Sequence, residues 1–498
     1  MFSNQSIVFN TFKAEDNTQF GLLTLETELS PFTEKYLELL FKVDCSGSMS
    51  DLCSDGRSKM QHVTHTLKNM VLFFKENPTL HVNVTVHSFD DRVYNVVDRT
   101  RVNDETYPKI VASIDAITPR TSTNIEKALA HTKSTVSTLR EQYPDSVYYQ
   151  VFLTDGEATS GCTSHKKLSE CVDETVTNVF IGFGLEHDAS LLNSVSSKRK
   201  SSSYFIDKIE NAGLVYGEIL HGFVYRVFEN VVLTAENGTL YNFKTGKWET
   251  ELYIGDVVGE SKKFYHINSD HPEDCKVTVR GNRVDNGEET TLTVTSTGVC
   301  EDLTKYVYRQ RTMELLYRVN QFIQMEETIE REREKERENK NFLKDELSNF
   351  FIEIKKYMSE NGLTEDVLLR NLCDDIYVCR RTFGTKYEVM YCCARMFSQG
   401  TQRAYTATHV PEEHTVCYRN VLRRQHLRQS NVNINVNVTD EDDEDQDQDE
   451  YEDNIPDPFL GHNLSDSTDT PYQTQTMTHT MRCVSGGKDI ESYTEEYN

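Results

Sequence analysis

The chain contains 498 residues, of which 80 are acidic and 53 are basic, so its formal net charge is −27 at pH 7. This length indicates about three domains, and the acidic excess argues against a general nucleic-acid-binding protein. No run of apolar residues is long enough to span a bilayer, and the twelve cysteines include no C-x-x-C pair. Neither a membrane protein nor a zinc or redox motif is therefore indicated.

The amino-terminal segment, residues 1–35, contains strand-like pieces. Its first seven residues lack a basic stretch followed by an apolar one, so we expect no signal peptide and a cytoplasmic protein. Two short apolar runs, residues 6–9 and 20–25, are typical of strands. Because two strands alone are marginally stable, they need a sheet elsewhere in the chain to join.

An apolar run from Tyr36 to Val43 predicts a buried strand that ends abruptly in polar side chains. Asp44, Ser46 and Ser48 follow it at spacings of two residues. Side chains at this spacing on an extended backbone point the same way, so one carboxylate and two hydroxyls can converge on one small cation. By itself the motif is weak, because Asp and Ser are common in turns after strands.

Two later segments offer further oxygen ligands. Thr123 lies in a polar loop just before a predicted helix, and Asp155 follows a second buried strand over residues 148–153. Strands and helices alternate along residues 36–228, which predicts a mainly parallel sheet with helices on both faces. In such sheets ligands bind outside the carboxyl ends of the strands, where both strand-end motifs would lie.

These motifs resemble those of a known family. D-C-S-G-S at residues 44–48, the loop of Thr123 and T-D-G at residues 154–156 are similar, in this order, to the metal-ion-dependent adhesion site of the von Willebrand factor A domain. Residues 182–189 and 204–207 resemble the last strands of A domains found in intracellular plant, amoebal and large-virus proteins.

The resemblance covers residues 36–228 and implies an α/β Rossmann-like domain with a divalent-cation site. It implies that all five positions of the site are filled, by Asp44, Ser46, Ser48, Thr123 and Asp155. The three hydroxyls would be direct ligands of Mg²⁺ or Mn²⁺, and the two carboxylates would hold waters. An Asp or Glu of a protein partner would fill the open position. The alternative is that all five are ordinary turn and cap residues.

Residues 229–300 have a different pattern from the preceding domain. Short strands separated by Asn-Gly and Gly turns predict a small antiparallel β-sandwich. We expect the strands of residues 1–35 to pair with it, which would make the A domain an insertion in the β domain.

Residues 301–400 are predicted to form a helical domain, because apolar residues recur at spacings of three and four. Residues 326–338 mix both charge signs at helical spacing, which indicates a solvated helix face. Coiled-coil self-association through these helices is the alternative, although sustained heptads are absent.

Residues 401–498 are predicted to be a mostly disordered tail. Eleven of the fourteen residues from Asp440 to Asp453 are acidic, and such a block repels itself. We expect the arginines between residues 419 and 428 to pair with this acidic run rather than with nucleic acid. Thr470 to Ser485 resembles a short tail segment of the intracellular A-domain proteins, and we interpret it as a docking peptide.

The leading functional hypothesis is a non-enzymatic, cation-dependent protein-binding scaffold. A metal-dependent hydrolase is the second hypothesis, and it would need a general base, for which Glu157 is the visible candidate. The third is an accessory factor in ubiquitin transfer, since similar plant proteins carry a RING finger before this architecture. The zinc ligands of such a finger are missing from this chain, so it would not supply that platform itself.

Overall fold

A computed structural model of the chain describes residues 2–13, 18–29, 36–53, 56–184, 187–208, 211–326, 333–407, 459, 461–466 and 468–485. The predicted acidic run, the arginine cluster and residues 327–332 of the charged segment lie outside the described residues. The described residues form two β-sheets and two groups of helices.

One sheet has six strands in the order β5-β4-β3-β6-β7-β8. All neighbours run parallel except β4 and β5. The strands are β3 (Leu37–Asp44), β4 (Val82–Phe89), β5 (Val93–Arg101), β6 (Val147–Thr154), β7 (Thr177–Phe183) and β8 (Ser201–Ile206). The connecting helices are α1 (Lys59–Glu76), α2 (Tyr107–Asp115), α3 (Ile125–Gln142), α4 (His165–Glu170), α5 (Ala189–Ser196) and α6 (Ala212–Val224).

Helices cover both faces of this sheet, as strand β3 demonstrates. Alternate side chains such as Phe41 and Val43 are buried in one cluster with α1, α2 and α6. Leu40 is buried on the other face with Val136 of α3. Every residue of β3 is buried, including the charged Glu38, Lys42 and Asp44, and the other five residues are apolar, as expected of a strand covered on both faces. The prediction of a mainly parallel sheet with helices on both faces is confirmed here.

The second sheet has nine strands in the order β11-β10-β13-β2-β1-β15-β14-β9-β12. Two of its central strands come from the amino terminus, so the α/β sheet and its helices are inserted between β2 and β9. Its strands are β1 (Phe2–Lys13), β2 (Gln19–Thr27), β9 (Arg226–Glu236), β10 (Thr239–Asn242), β11 (Lys247–Glu249), β12 (Glu251–Val258), β13 (Lys262–Ser269), β14 (Lys276–Arg283) and β15 (Glu289–Glu301).

The prediction for residues 229–300 was a small antiparallel sandwich, whereas the described strands form one nine-stranded sheet that includes a parallel pair. Strand β15 runs antiparallel to β14 but parallel to β1. No tight turn joins β1 to β15, so no hairpin dictates their relative direction. The first part of β15 pairs with β14 and its last part pairs with β1. Side chains of strands on both sides of β15 share one buried cluster.

The remaining helices are α7 (Thr304–Glu326), α8 (Arg333–Glu360), α9 (Val367–Thr382), α10 (Glu388–Thr401) and α11 (Gln475–Val484). Helices α7 to α10 bury one apolar cluster. Arg311 of α7 donates to Glu353 of α8 within the same chain, with Nη2 2.8 Å from Oε2. The structure thus shows these four helices packing on one another within one chain.

Helix α11 corrects part of the predicted tail. Met477, Met481 and Val484 are buried against the α/β sheet's helices. Gly217 of α6 lets α11 approach closely, because a Cβ there would lie 2.4 Å from the Cα of Met481. The prediction of disorder was wrong for this segment, because it weighed the polar composition and not the three- and four-residue spacing of its apolar side chains.

Candidate metal centre at the carboxyl end of the α/β sheet

The candidate site lies where the connections of the six-stranded sheet diverge. The chain leaves β3 towards β4 on one side, while β6 lies on the other side and leads to β7 and β8. Open α/β sheets bind ligands in the crevice at such a switch point. Asp44 is the last residue of β3, and Asp155 directly follows β6.

Asp44 is fully buried and is oriented by two hydrogen bonds. Its Oδ1 accepts from the Ser46 amide at 2.8 Å, and its Oδ2 accepts from the Thr154 hydroxyl at 2.7 Å. Burial raises the pKa of Asp44 to about 6, against the opposing effect of these bonds. A carboxyl group with this tendency gains from a nearby cation.

The two predicted serines connect the strand-end loop to the second carboxylate. The hydroxyl oxygens of Ser46 and Ser48 are 3.1 Å apart, and the Ser48 hydroxyl donates to Asp155 Oδ1 at 2.9 Å. Ser46 and Asp155 are buried. The structure therefore brings four of the five predicted side chains, those of Asp44, Ser46, Ser48 and Asp155, into one cluster.

Thr123 is buried in a loop that is hydrogen-bonded to this cluster through its backbone. The Gly47 amide donates to the Thr121 carbonyl at 3.0 Å, and the Arg120 amide donates to the Cys45 carbonyl at 2.6 Å. The Thr123 amide donates to the Thr159 hydroxyl at 2.9 Å, in the segment after Asp155. Thr123 thus lies between the two strand-end loops.

Sequence reasoning missed Lys59, the first residue of α1. Its Nζ lies 2.8 Å from Asp155 Oδ2 and 3.4 Å from Asp51 Oδ2. Burial by itself would lower the pKa of Lys59, but its hydrogen bond and charge interaction with Asp155 outweigh this effect, and the pKa is raised. A sequence signal existed, because Ser58 and Gln61 form a capping box and a basic residue in a first helical turn opposes the helix dipole.

The donor set fits a hard divalent cation. Two carboxylates and the hydroxyls of Ser46, Ser48 and Thr123 offer only oxygen, which Mg²⁺ and Mn²⁺ prefer. Across the part of the chain that the structure describes, no group of three or more His, Cys, Asp or Glu side chains could hold a metal ion. Glu157, the candidate base of a hydrolase, is exposed.

Comparison with known protein families identifies one match. The model of the von Willebrand factor type A domain family matches residues 38–216. None of the curated proteins matches the chain.

Several solved structures are similar in fold. The ArnB paralog VWA2 from Sulfolobus acidocaldarius has a TM-score of 0.47 at 11% identity, over 80% of this chain and 97% of that chain. A von Willebrand factor type A protein from Catenulispora acidiphila has a TM-score of 0.45 at 12% identity, over 63% of this chain and 80% of that chain. Proximal thread matrix protein 1 of the mussel byssus, solved with a zinc-occupied MIDAS motif, has a TM-score of 0.28 at 17% identity, over 38% of this chain and 44% of that chain.

No helix in the described ranges is both long and apolar enough to cross a bilayer.

Proposed function

Residues 38–216 form a von Willebrand factor type A domain, and from this premise we propose that the chain is a non-enzymatic scaffold that binds a protein partner through a divalent cation. The observation that carries the proposal is the cluster of Asp44, Ser46, Ser48 and Asp155 at the switch point. A type A domain commonly mediates metal-dependent protein interactions, and the donor chemistry of this cluster suits Mg²⁺ or Mn²⁺.

In this proposal the three hydroxyls, including that of Thr123, hold the cation directly. Asp44 and Asp155 accept hydrogen bonds from cation-bound waters and supply the negative charge. The cation supplies Lewis acidity and an open position, which an Asp or Glu of the partner fills. Asp44 already holds its position through the Ser46 amide and the Thr154 hydroxyl, so little reorganisation is needed on binding.

Lys59 is a second cation beside this site. Its ammonium group contacts the same carboxylate that would face the cation, so the lysine has to leave Asp155 when the cation binds. Binding of the divalent cation would therefore replace the Lys59 ammonium group beside Asp155.

Calorimetric titration of Mg²⁺ and Mn²⁺ into the full chain tests the proposal. Saturable binding in the parent should weaken by about 10- to 100-fold in Asp44→Ala and Asp155→Ala. Ser50→Ala is a matched control, because Ser50 lies in the same loop but donates its hydroxyl to the Gly47 carbonyl.

A pull-down with the parent chain then tests the partner. The bound protein should be released by chelator and should not bind to Asp155→Ala. Equal metal binding by the parent and both Asp variants, with all proteins folded, would refute the proposal.

A further inference from the structure

A cavity lies at the amino-terminal ends of β7 and β8, opposite the strand-end site, where the α/β sheet, the nine-stranded sheet and the helices meet. Its volume is about 320 Å³, within the usual size of small-molecule sites, at the small end. Strands β8, β12 and β13, helices α6 and α7, and the end of α10 contribute to its lining. Met477 of α11 completes it.

The lining is basic, although the whole chain is strongly acidic. Two acidic residues line the cavity, Glu218 and Asp256. Five cationic residues line it, namely Lys200, Lys244, Lys263, Arg309 and Arg403. Asp256 is already paired with Arg226, which lies outside the lining, with Nη1 3.2 Å from Oδ2. The cavity therefore has an excess of positive charge.

Two of the three lining lysines, Lys244 and Lys263, donate hydrogen bonds to backbone carbonyls. Lys263 Nζ donates to the carbonyls of Thr401 and Gln402 at 3.2 and 2.7 Å. Lys244 Nζ donates to the carbonyls of Ser196 and Ser201 at 3.2 and 3.3 Å. A carbonyl orients an ammonium group but leaves its charge uncompensated.

The arginines retain unused donors. Arg309 is 2% exposed and Arg403 is 6% exposed. The Nε of Arg309 and the Nη2 of Arg403 have no hydrogen-bond partner within the described part of the chain. The guanidinium of Arg403 stacks on Tyr204, 3.7 Å from the ring centroid, which fixes its plane. Buried donors without partners are costly, so a ligand that reached them through a small rearrangement of the lining would gain hydrogen bonds.

Burial and mutual repulsion of these groups act in the same direction. Burial and, to a smaller extent, the charge of Arg403 lower the pKa of Lys244 to about 8. Burial also lowers the pKa of Lys263 to about 8, and Glu218 opposes this effect while Arg309 and Arg403 reinforce it. A bound anion would relieve this repulsion.

We propose that this cavity binds a compact polyanion that carries several phosphoryl groups. Arginine guanidinium groups bind phosphoryl oxygens in pairs of hydrogen bonds, and lysines add charge. Because the ligand would contact residues of both sheets and of the helices, it would hold the parts of the molecule together. The site is independent of the strand-end cluster and of the partner proposed for it.

Thermal unfolding and calorimetry of the full chain test this proposal with three probes, inositol hexakisphosphate, tripolyphosphate and ATP. The buffer contains excess chelator, because these probes sequester Mg²⁺ and because chelation silences the strand-end site. At least one probe should bind saturably at micromolar concentration and raise Tm, while sulfate at equal ionic strength should not. Binding of ATP alone would identify a nucleotide site, whereas binding of the other two would identify a phosphoryl cluster.

Neighbouring lysines of β13 provide a matched pair of variants. Lys263→Gln should weaken binding at least tenfold. Lys262→Gln should leave it unchanged, because Lys262 pairs at the surface with Glu26. If Lys263→Gln fails to fold, Lys244→Gln replaces it. Asp155→Ala should bind the probe like the parent, which separates this site from the proposed cation site.

Two results would overturn the proposal. One is no binding of any probe at millimolar concentration to the folded parent chain. The other is that the probe binds equally well to the parent and to Lys263→Gln (or Lys244→Gln), and equally well with and without competing sulfate. That result would indicate general ionic attraction.

Discussion

The strand-end cluster and the basic cavity are built in opposite ways. The cluster takes its side chains from loops that directly follow neighbouring strands of one sheet, between Asp44 and Asp155. The cavity takes its lining from residues between Thr177 and Met477, in two sheets and four helices. A site at strand ends is positioned by local backbone order, whereas a site at a junction exists only when distant segments assemble.

Removing the first two strands should separate the two sites most clearly. Strand β2 pairs with β13 along its whole length, and β13 lines the cavity. Deleting residues 1–28 should therefore abolish cooperative folding of the nine-stranded sheet and all polyanion binding, while the six-stranded sheet keeps its protection. Hydrogen exchange measured by mass spectrometry checks both sheets in one experiment. Unchanged protection of β13 and β14 in the deletion would contradict this comparison.

A crowded contact between α6 and α11 gives the next largest effect. In Gly217→Val the new side chain meets the backbone of Met481, so we expect a loss of about 3 kcal/mol in the free energy of unfolding. Chemical denaturation measures this loss. Gly222→Ala is the control on the same helix, since a Cβ there meets nothing within 4 Å. A Gly217→Val protein as stable as the parent would mean that α11 does not depend on this contact.

The stability of the protein should also depend on pH through His221, which lines the cavity. Burial lowers the pKa of this side chain to about 4, and its Nε2 lies 2.9 Å from the Thr476 hydroxyl of α11. The folded state favours the neutral ring. The contribution of His221 to the free energy of unfolding is therefore complete above pH 6.5 and is lost as pH falls towards 4. Between pH 7.5 and pH 5 the free energy of unfolding of the parent should fall by about 2 kcal/mol more than that of His221→Gln. Denaturant titrations at both pH values measure the difference, and parallel losses in the two proteins would refute it.

The smallest effect concerns the strand-end site. Lys59→Met removes the ammonium group that a cation must displace, so Mg²⁺ should bind about tenfold more tightly, equivalent to about 1.4 kcal/mol. Lys68→Met is the control, because this lysine of the same helix pairs with Asp115 at the surface. Calorimetric titration of Mg²⁺ into both variants and the parent measures the change in affinity. Weaker binding in Lys59→Met would mean that the lysine orients Asp155 for the cation instead of competing with it.

The α/β fold was predictable because its signals are local. The apolar run before Asp44 and the polar residues that follow it define both a buried strand and its end. The same property revealed the carboxylates and hydroxyls of the candidate site, since residues that end adjacent parallel strands are neighbours in space. The unusual position of Lys59 at the start of a helix is a local signal, but its contact with Asp155 depends on how α1 packs on the sheet.

The cavity and helix α11 were not predictable for a different reason. Lys263 and Arg403 lie in unrelated sequence contexts, and nothing near either residue indicates that they share a lining. Likewise, the partner of Met481 is Gly217, more than 200 positions earlier in the chain. Sequence periodicity indicates which face of an element is buried but does not indicate what covers it.

The insertion between β2 and β9 also sets an order of events during synthesis. Gln19 pairs with Ser269, 250 positions later, so at ordinary translation rates β2 waits roughly ten seconds to a minute for its partner. The β1–β2 hairpin has two open edges during that time, and such edges attract other strands. The type A domain emerges in this interval and can fold first, because its own strands pair among themselves. Once folded, it joins two distant parts of the chain and shortens the search that completes the second sheet.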